Sequence, residues 1–255
     1  MKSLLAFVIL FTISSIACSK NNNGATTNVP IDNIQVYSYS PNIPVLRDLT
    51  TNAIVKLVVS GDAANINKQI KKIQCTLNTA VISDIQKVDV YQTSNDIFSS
   101  NTLLTSVSSI ASAFDIPVNI DVTQGGLQYI WLSVVLKSNA SINNKVELHA
   151  IKMIDVSGRE ITINQGSSNY IKYAGVALRK SGDNGADTYR IPGIINTDKG
   201  TLIAVYDIRY SSSADLPAAI DVGMSRSIDS GRTWEPMKVI MHMGSGTQQG
   251  IGDPS

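Results

Sequence analysis

The sequence predicts an all-β protein: an N-terminal β-sandwich, jelly-roll-like, followed by a second region of antiparallel strands with long polar connections. Across residues 31–172, short runs rich in β-branched and aromatic residues alternate with clusters of Asn, Ser, Gly and Asp, the punctuation of strands and turns. In "IPVNIDV" the residues Ile116, Val118, Ile120 and Val122 fall on one face and Asn119 and Asp121 on the other, the period of a half-buried strand. No convincing helix interrupts the pattern, and 43% hydrophobic against 16% charged residues is enough for a packed core.

Taken in order, the chain opens on "MKSLLAFVILFTISSIAC", with Lys2 before an apolar run from Leu4 to Ile13 and small residues leading to Cys18. The run is too short to span a bilayer and has the layout of an export signal. Residues 1–18 are therefore expected to be a signal peptide. A cysteine after Ser15-Ile16-Ala17 resembles a bacterial lipoprotein processing site, in which Cys18 becomes the lipidated first residue. The polar stretch 19–30 would be the tether of that anchor. An ordinary signal peptide cleaved elsewhere is the alternative. The expected location is an exported, outer-membrane lipoprotein, periplasmic or at the cell surface, or else a soluble periplasmic or secreted protein.

The strand candidates of the sandwich are "VYSYS", "AIVKLVVS", "IKKIQCTL", "IQKVDVY", "IPVNIDV", "QYIWLSVVL", "KVELHAIKMI" and "EITIN". Cys75, inside "IKKIQCTL", would be the single thiol left after processing, which excludes an internal disulfide and reads as a small buried apolar residue. Tyr37, Tyr39, Tyr129 and Trp131 are expected to pack in the core, with stacking on a sugar as the other use of such rings. The polar stretch 164–175 marks a seam, and residues 173–255 form the second region. Its strand signals are "GTLIAVYDIRY" and, after a Ser-rich loop, "AAIDVGMSRSIDSGRTWEPMKVIM".

The charge balance, 21 Lys plus Arg against 20 acidic residues, shows no basic stripe, so no nucleic-acid partner is expected. No metal-ligand cluster or glycine-rich phosphate loop is present, and no cofactor is expected. Membrane contact is expected through the lipid anchor only.

Two motifs remain. "SIDSGRTW" places Ser227, Asp229, Gly231, Thr233 and Trp234 in the spacing of an Asp box. Its logic is structural: the Asp accepts backbone amides, the Gly supplies a positive φ, and the Trp packs beneath the hairpin. "DTYRIPGII" places the permanently charged Arg190 at the head of an apolar strand. A guanidinium there either ends a loop and points into water or waits for a carboxylate that this chain does not itself supply.

Together, Tyr-Arg-Ile-Pro at 189–192 and an Asp box some forty residues later resemble the opening of a bacterial exo-α-sialidase. The resemblance covers about residues 175–255, and more weakly residues 19–174, which are similar to the β-sandwich preceding the propeller in sialidases of gut Bacteroidetes. It implies that residues 173–255 begin a six-bladed β-propeller. It implies that Arg190 is one of three arginines clamping the sialic acid carboxylate, that Arg209 lines the O4 side of the sugar, and that Asp215 is the general acid/base on a mobile loop. Asp253 would be a further aspartate near the O4 and N-acetyl side. Asp221 remains open as an alternative to Asp215. The partners implied are sialylated glycans: glycoproteins, glycolipids and oligosaccharides.

The residue types suit that chemistry. Arginine meets a carboxylate bidentately, and an aspartate enclosed by sugar can donate a proton to a leaving oxygen. Sialidases are retaining enzymes with a tyrosine nucleophile, because a carboxylate nucleophile would be repelled by the carboxylate on the anomeric carbon. The tyrosine and the other clamp arginines have no match in this sequence. The 255-residue chain alone is therefore expected to be inactive. The competing reading is a non-catalytic lipoprotein whose sandwich binds glycans above an Asp-box scaffold.

Overall fold

The computed structural model describes residues 34–61, 69–98, 101–123, 125–165, 170–244, 246 and 248–254. The expected export signal, Cys18 and the tether lie outside the described residues.

The alternating runs form β1 (Gln35–Tyr39), β2 (Val45–Arg47), β3 (Ala53–Gly61), β4 (Gln69–Leu77), β5 (Ile85–Thr93), β6 (Asn101–Val107), β7 (Ala113–Asp121) and β8 (Gly126–Leu136). They continue with β9 (Lys145–Asp155), β10 (Glu160–Ile161), β11 (Ile163–Gln165) and β12 (Ile171–Val176). One sheet has the order β11-β1-β3-β8-β5-β6, the other β2-β12-β9-β4-β7 with β10 on β9. Pairing is antiparallel except for β1 with β11 and β2 with β12. The period of two drives the layering. Val36, Leu57, Val90 and Ile130 of the first sheet join Ile73, Ile116, Ile120 and Met153 of the second in one buried core. Ile116, Val118, Ile120 and Val122 are all buried, as the alternation in "IPVNIDV" requires.

Several elements differ from the sequence reading. β2 and β6 lack a strong β-branched run, and their pairing with longer neighbours defines them. "EITIN" splits into β10 and β11, which join different sheets. The seam placed at 172/173 falls inside β12. Ile171–Tyr173 pair with β9 and Ala174–Val176 with β2, so this strand belongs to the sandwich throughout. Cys75 is buried, and burial pushes its thiol up to about 12. The aromatics divide: Trp131 is buried against Tyr91 and Phe98, whereas Tyr37 and Tyr39 are exposed.

The second region is a four-stranded antiparallel meander, the form of one propeller blade: β13 (Thr188–Asn196), β14 (Leu202–Arg209), β15 (Ile220–Ser227) and β16 (Lys238–Met241). Ala204, Tyr206 and Ile208 of β14 form its core with Ala186, covered by Tyr189, Trp234 and Met237. β13 and β16 are the edges of this sheet, and Ile194, Ile195, Val239, Ile240 and Met241 are exposed along them. Arg47 of β2 joins sandwich to blade. Its Nη2 donates to the Arg232 carbonyl at 2.9 Å and its Nη1 to the Ala140 carbonyl at 3.3 Å.

Candidate active site

The string from Ser227 to Trp234 closes the turn between β15 and β16. Asp229 Oδ1 accepts the Ser227 hydroxyl at 2.8 Å and the Thr233 N–H at 2.9 Å, while Oδ2 accepts the Thr233 hydroxyl at 2.6 Å. Gly231 has φ 81°, in the left-handed region where only glycine is unstrained, and Trp234 Nε1 donates to its carbonyl at 3.1 Å. The Thr233 hydroxyl, then the Thr233 amide and Ser227, hold the Asp229 carboxyl down at about 2. This turn is scaffold. It faces the sandwich through Arg232, away from the chemistry-bearing loop.

That loop lies at the opposite end of the blade, between β14 and β15. Asp207 and Arg209 stand two residues apart on β14, so both side chains leave the same face of the sheet. Each side chain is 1% exposed. Arg209 Nε and Nη2 donate to Asp207 Oδ2 at 3.2 and 2.8 Å. Nη1 donates to the carbonyls of Ser213 and Ala214 at 3.0 and 2.8 Å, and Nη2 also reaches Asp215 Oδ1 at 3.4 Å. A guanidinium has five N–H donors, and here every one has an acceptor within the chain. Arg209 is thus the buried peg around which the Ser-rich loop folds.

The loop so fixed presents Asp215 to solvent, its side chain 67% exposed. Arg190 arrives from β13, where register pairs it with Asp207. Its Nη1 donates to the Ser213 carbonyl at 3.2 Å, the same oxygen that receives Arg209. Among the described residues no carboxylate meets Arg190. The strand bulges immediately after it: β13 uses the extra residue between Arg190 and Gly193, and Ile191 takes φ 49°. A β-branched residue with positive φ is a strained conformation, and bulges of this kind re-aim the neighbouring side chain.

Asp253 enters from the chain beyond β16. Gly250 bridges Ile220 in parallel, and the Ile251 N–H donates to the Ile220 carbonyl at 2.9 Å. The Asp253 N–H then donates to Asp207 Oδ1 at 2.9 Å, and Asp253 takes φ 59°. A Cβ at Gly252 would stand 3.1 Å from both Asp207 oxygens, so glycine permits this approach. Asp207 thus holds Arg209 with one oxygen and the Asp253 backbone with the other.

Asp221, the alternative to Asp215, pairs with Ile208 and points to the other face of the sheet. Its buried carboxylate accepts the Tyr210 hydroxyl at 3.0 Å, and His242 Nδ1 lies 2.8 and 3.0 Å from its two oxygens. Burial, with the Asp221 carboxylate adding to it, pushes the Tyr210 phenol up to about 12. Asp215, not Asp221, stands with the two arginines. Asp207, Tyr210 and His242 had no site role in the sequence reading. The signal for Asp207 was its period-two spacing from Arg209 in "YDIRY", which puts opposite charges on one face.

The cluster thus joins a guanidinium that meets no carboxylate among the described residues and an exposed carboxylate on a loop braced by a buried ion pair. Such a surface can hold an organic carboxylate at Arg190 and exchange a proton at Asp215.

Comparison with known proteins gives four findings. Residues 32–115 match the N-terminal domain of BNR-repeat neuraminidase. A sialidase of Bacteroides fragilis (strain YCH46) is 41% identical over 136 residues, covering 51% of this chain and 25% of that protein. A sialidase of Paraclostridium sordellii is 42% identical over 56 residues, 22% of this chain and 13% of the relative. Among solved structures, the Hadza microbial sialidase Hz136 shares the fold, with a TM-score of 0.66 at 23% identity over 80% of this chain and 44% of its own. The matched region thus spans a quarter or less of the length of the curated relatives.

Proposed function

With the chain a relative of the sialidases, corresponding to their N-terminal portion, we propose that it belongs to an exo-α-sialidase that removes terminal sialic acid from glycoconjugates. The observation that carries this reading is Arg190: a guanidinium on a strained bulge, without a carboxylate partner among the described residues, beside the loop that carries Asp215. In the proposed reaction Arg190 contributes to the clamp on the sugar carboxylate. Asp215 gives its proton to the glycosidic oxygen as the bond to the anomeric carbon breaks, then takes one back from the attacking water. Arg209 and Asp207 position Asp215 rather than touch the sugar, and Asp253 lies where it can meet the sugar's polar rim. The tyrosine nucleophile implied by the family is not matched in this sequence, so the 255-residue chain alone is expected to be inactive.

The test is turnover of a fluorogenic α-sialoside. The expected result is none from this chain, and turnover from a version extended to the length of the Bacteroides fragilis relative. In that longer protein Asp215→Asn should cost about a hundredfold or more in kcat, the usual contribution of a general acid. Full activity of Asp215→Asn, or of Arg190→Ala, would sink the assignment. Export with lipidation at Cys18 is part of the same proposal. Metabolic labelling with a radioactive fatty acid, abolished by Cys18→Ala, is its expected signature, and unlabelled wild-type protein would remove it.

A further inference from the structure

The joint between sandwich and blade holds a second concentration of positive charge. Of the seven arginines in the chain, Arg159, Arg209 and Arg226 meet a carboxylate, and Arg190 belongs to the candidate active site. The other three, Arg47, Arg179 and Arg232, line one pocket of about 370 Å³. They reach it from three segments: Arg47 ends β2, Arg179 lies in the connection between β12 and β13, and Arg232 in the turn between β15 and β16. Each is held by neutral oxygens only. Arg47 donates to the carbonyls of Ala140 and Arg232. Arg179 donates from Nε to the Tyr206 hydroxyl at 2.7 Å, from Nη1 to the Leu178 carbonyl at 3.1 Å and from Nη2 to the Ser225 hydroxyl at 2.6 Å. Arg232 Nη1 donates to the Asp229 carbonyl at 3.1 Å. A guanidinium has five N–H donors, so these bonds leave donors open on all three. Arg47 Nε is buried without any hydrogen-bond partner.

Like charges are therefore crowded here without an answer. The carboxylates lining the pocket are Asp48 and Glu235, and Glu235 already accepts Arg226 Nη1 at 2.6 Å. Three cations against the one free carboxylate of Asp48 leave an excess of two positive charges. Lys180 Nζ, on the Asp48 carbonyl at 3.2 Å, adds to it. Apolar walls from Val176, Trp234 and Pro236 lower the local dielectric and raise the cost of leaving that excess unmet. Arginine stays protonated at any working pH, so the charge of the site is fixed. We infer that this pocket binds a dianionic tetrahedral oxyanion, phosphate or sulfate, free or as a terminal monoester, and that the bound ion ties sandwich, connection and blade together. Its charge matches the excess, and its oxygens can take the forks of three separate arginines, where a carboxylate offers only two oxygens. Guanidinium charge is delocalised, so an oxyanion on the open Nη hydrogens of Arg47 also compensates the buried Nε. This site goes beyond the sialidase reading and does not depend on it.

The test is isothermal titration of the 255-residue chain with inorganic phosphate, at constant ionic strength in a chloride background. One saturable site is expected. Arg232→Ala should weaken phosphate about tenfold, the loss of a charged hydrogen bond, while its backbone carbonyl still holds Arg47. Asp48→Asn should tighten phosphate about threefold by removing the opposing charge, and asparagine tolerates the φ of 66° at that position. Acetate should bind about tenfold more weakly than phosphate. The proposal is overturned by the absence of saturable heat, by wild-type affinity in Arg232→Ala, by no gain in Asp48→Asn, or by equal affinity for acetate. A signal lost in Arg190→Ala also overturns it, because the ion would then lie at the candidate active site. Glycerol 3-phosphate separates the two sources, and either result supports the site: affinity equal to that of inorganic phosphate points to a terminal monoester, and clearly weaker binding to the free ion.

Discussion

Arg209 donates to Asp207 from deep inside the blade, at 2.8 Å, and each side chain is 1% exposed. Neither charge is solvated, so each depends on the other. Arg209→Met should leave a buried carboxylate uncompensated, together with the unmet carbonyls of Ser213 and Ala214. We expect it to destabilise the protein by about 3–5 kcal/mol in urea unfolding. The double variant Asp207→Leu/Arg209→Met should cost clearly less than the sum of the single changes, because it removes both charges. Additive losses would mean that the pair is not coupled as the geometry says.

The turn around Asp229 predicts a pH dependence with a definite sign. Its carboxyl titrates at about 2 in the folded protein against an ordinary 3.8. Below that window both states are protonated, and above it both are ionised. Its contribution is therefore complete above about pH 4 and lost as pH falls towards 2. Thermal unfolding of wild type and Asp229→Asn should differ at pH 7 and converge at the acid end. A gap that stays constant down to pH 2 would contradict it.

Tyr210 predicts the opposite window. Its phenol is raised from 10.0 to about 12, so it stays a neutral donor to Asp221 at working pH. The unfolded chain loses this proton first, so the associated stability is complete below pH 10 and declines as pH rises towards 12. Ultraviolet titration at the phenolate band should show a late-ionising tyrosine that disappears in Tyr210→Phe. The same change should cost about 1 kcal/mol, one hydrogen bond to a charged acceptor in a half-exposed setting.

Arg47 bridges sandwich and blade through the Arg232 and Ala140 carbonyls. Arg47→Ala should loosen the joint while leaving both cores intact. Differential scanning calorimetry is expected to resolve two transitions in the variant where the wild type shows one, since relative freedom follows when an interface is small. A single unchanged transition would assign the coupling to other contacts, such as Lys180 Nζ on the Asp48 carbonyl.

Much of this architecture was legible because strand alternation is a local property. Ile116 through Val122 announced their buried face without any knowledge of a partner strand. β12 was illegible for the converse reason: "IKYAGV" is short and partly polar, and becomes a strand only between β9 and β2. At the candidate site, Arg190, Asp215 and Asp253 could be named from family motifs, but motifs do not carry hydrogen-bond saturation. That Arg209 has no donor left follows only from the fold of residues 213–215 back onto it. The Asp221–His242 contact joins residues twenty-one apart in sequence, across a turn, and no spacing rule points to it.

The two bare margins of the blade bear on how this chain behaves in solution. Among the described residues β13 and β16 end the sheet, with Ile194, Ile195, Val239, Ile240 and Met241 exposed along them. A formal net charge of +1 supplies almost no colloidal repulsion between molecules. Apolar, uncharged sheet margins recruit further strands, so self-association that grows with protein concentration is built into these residues. Dilute samples, or a lysine placed at Ile240, are the physical remedy.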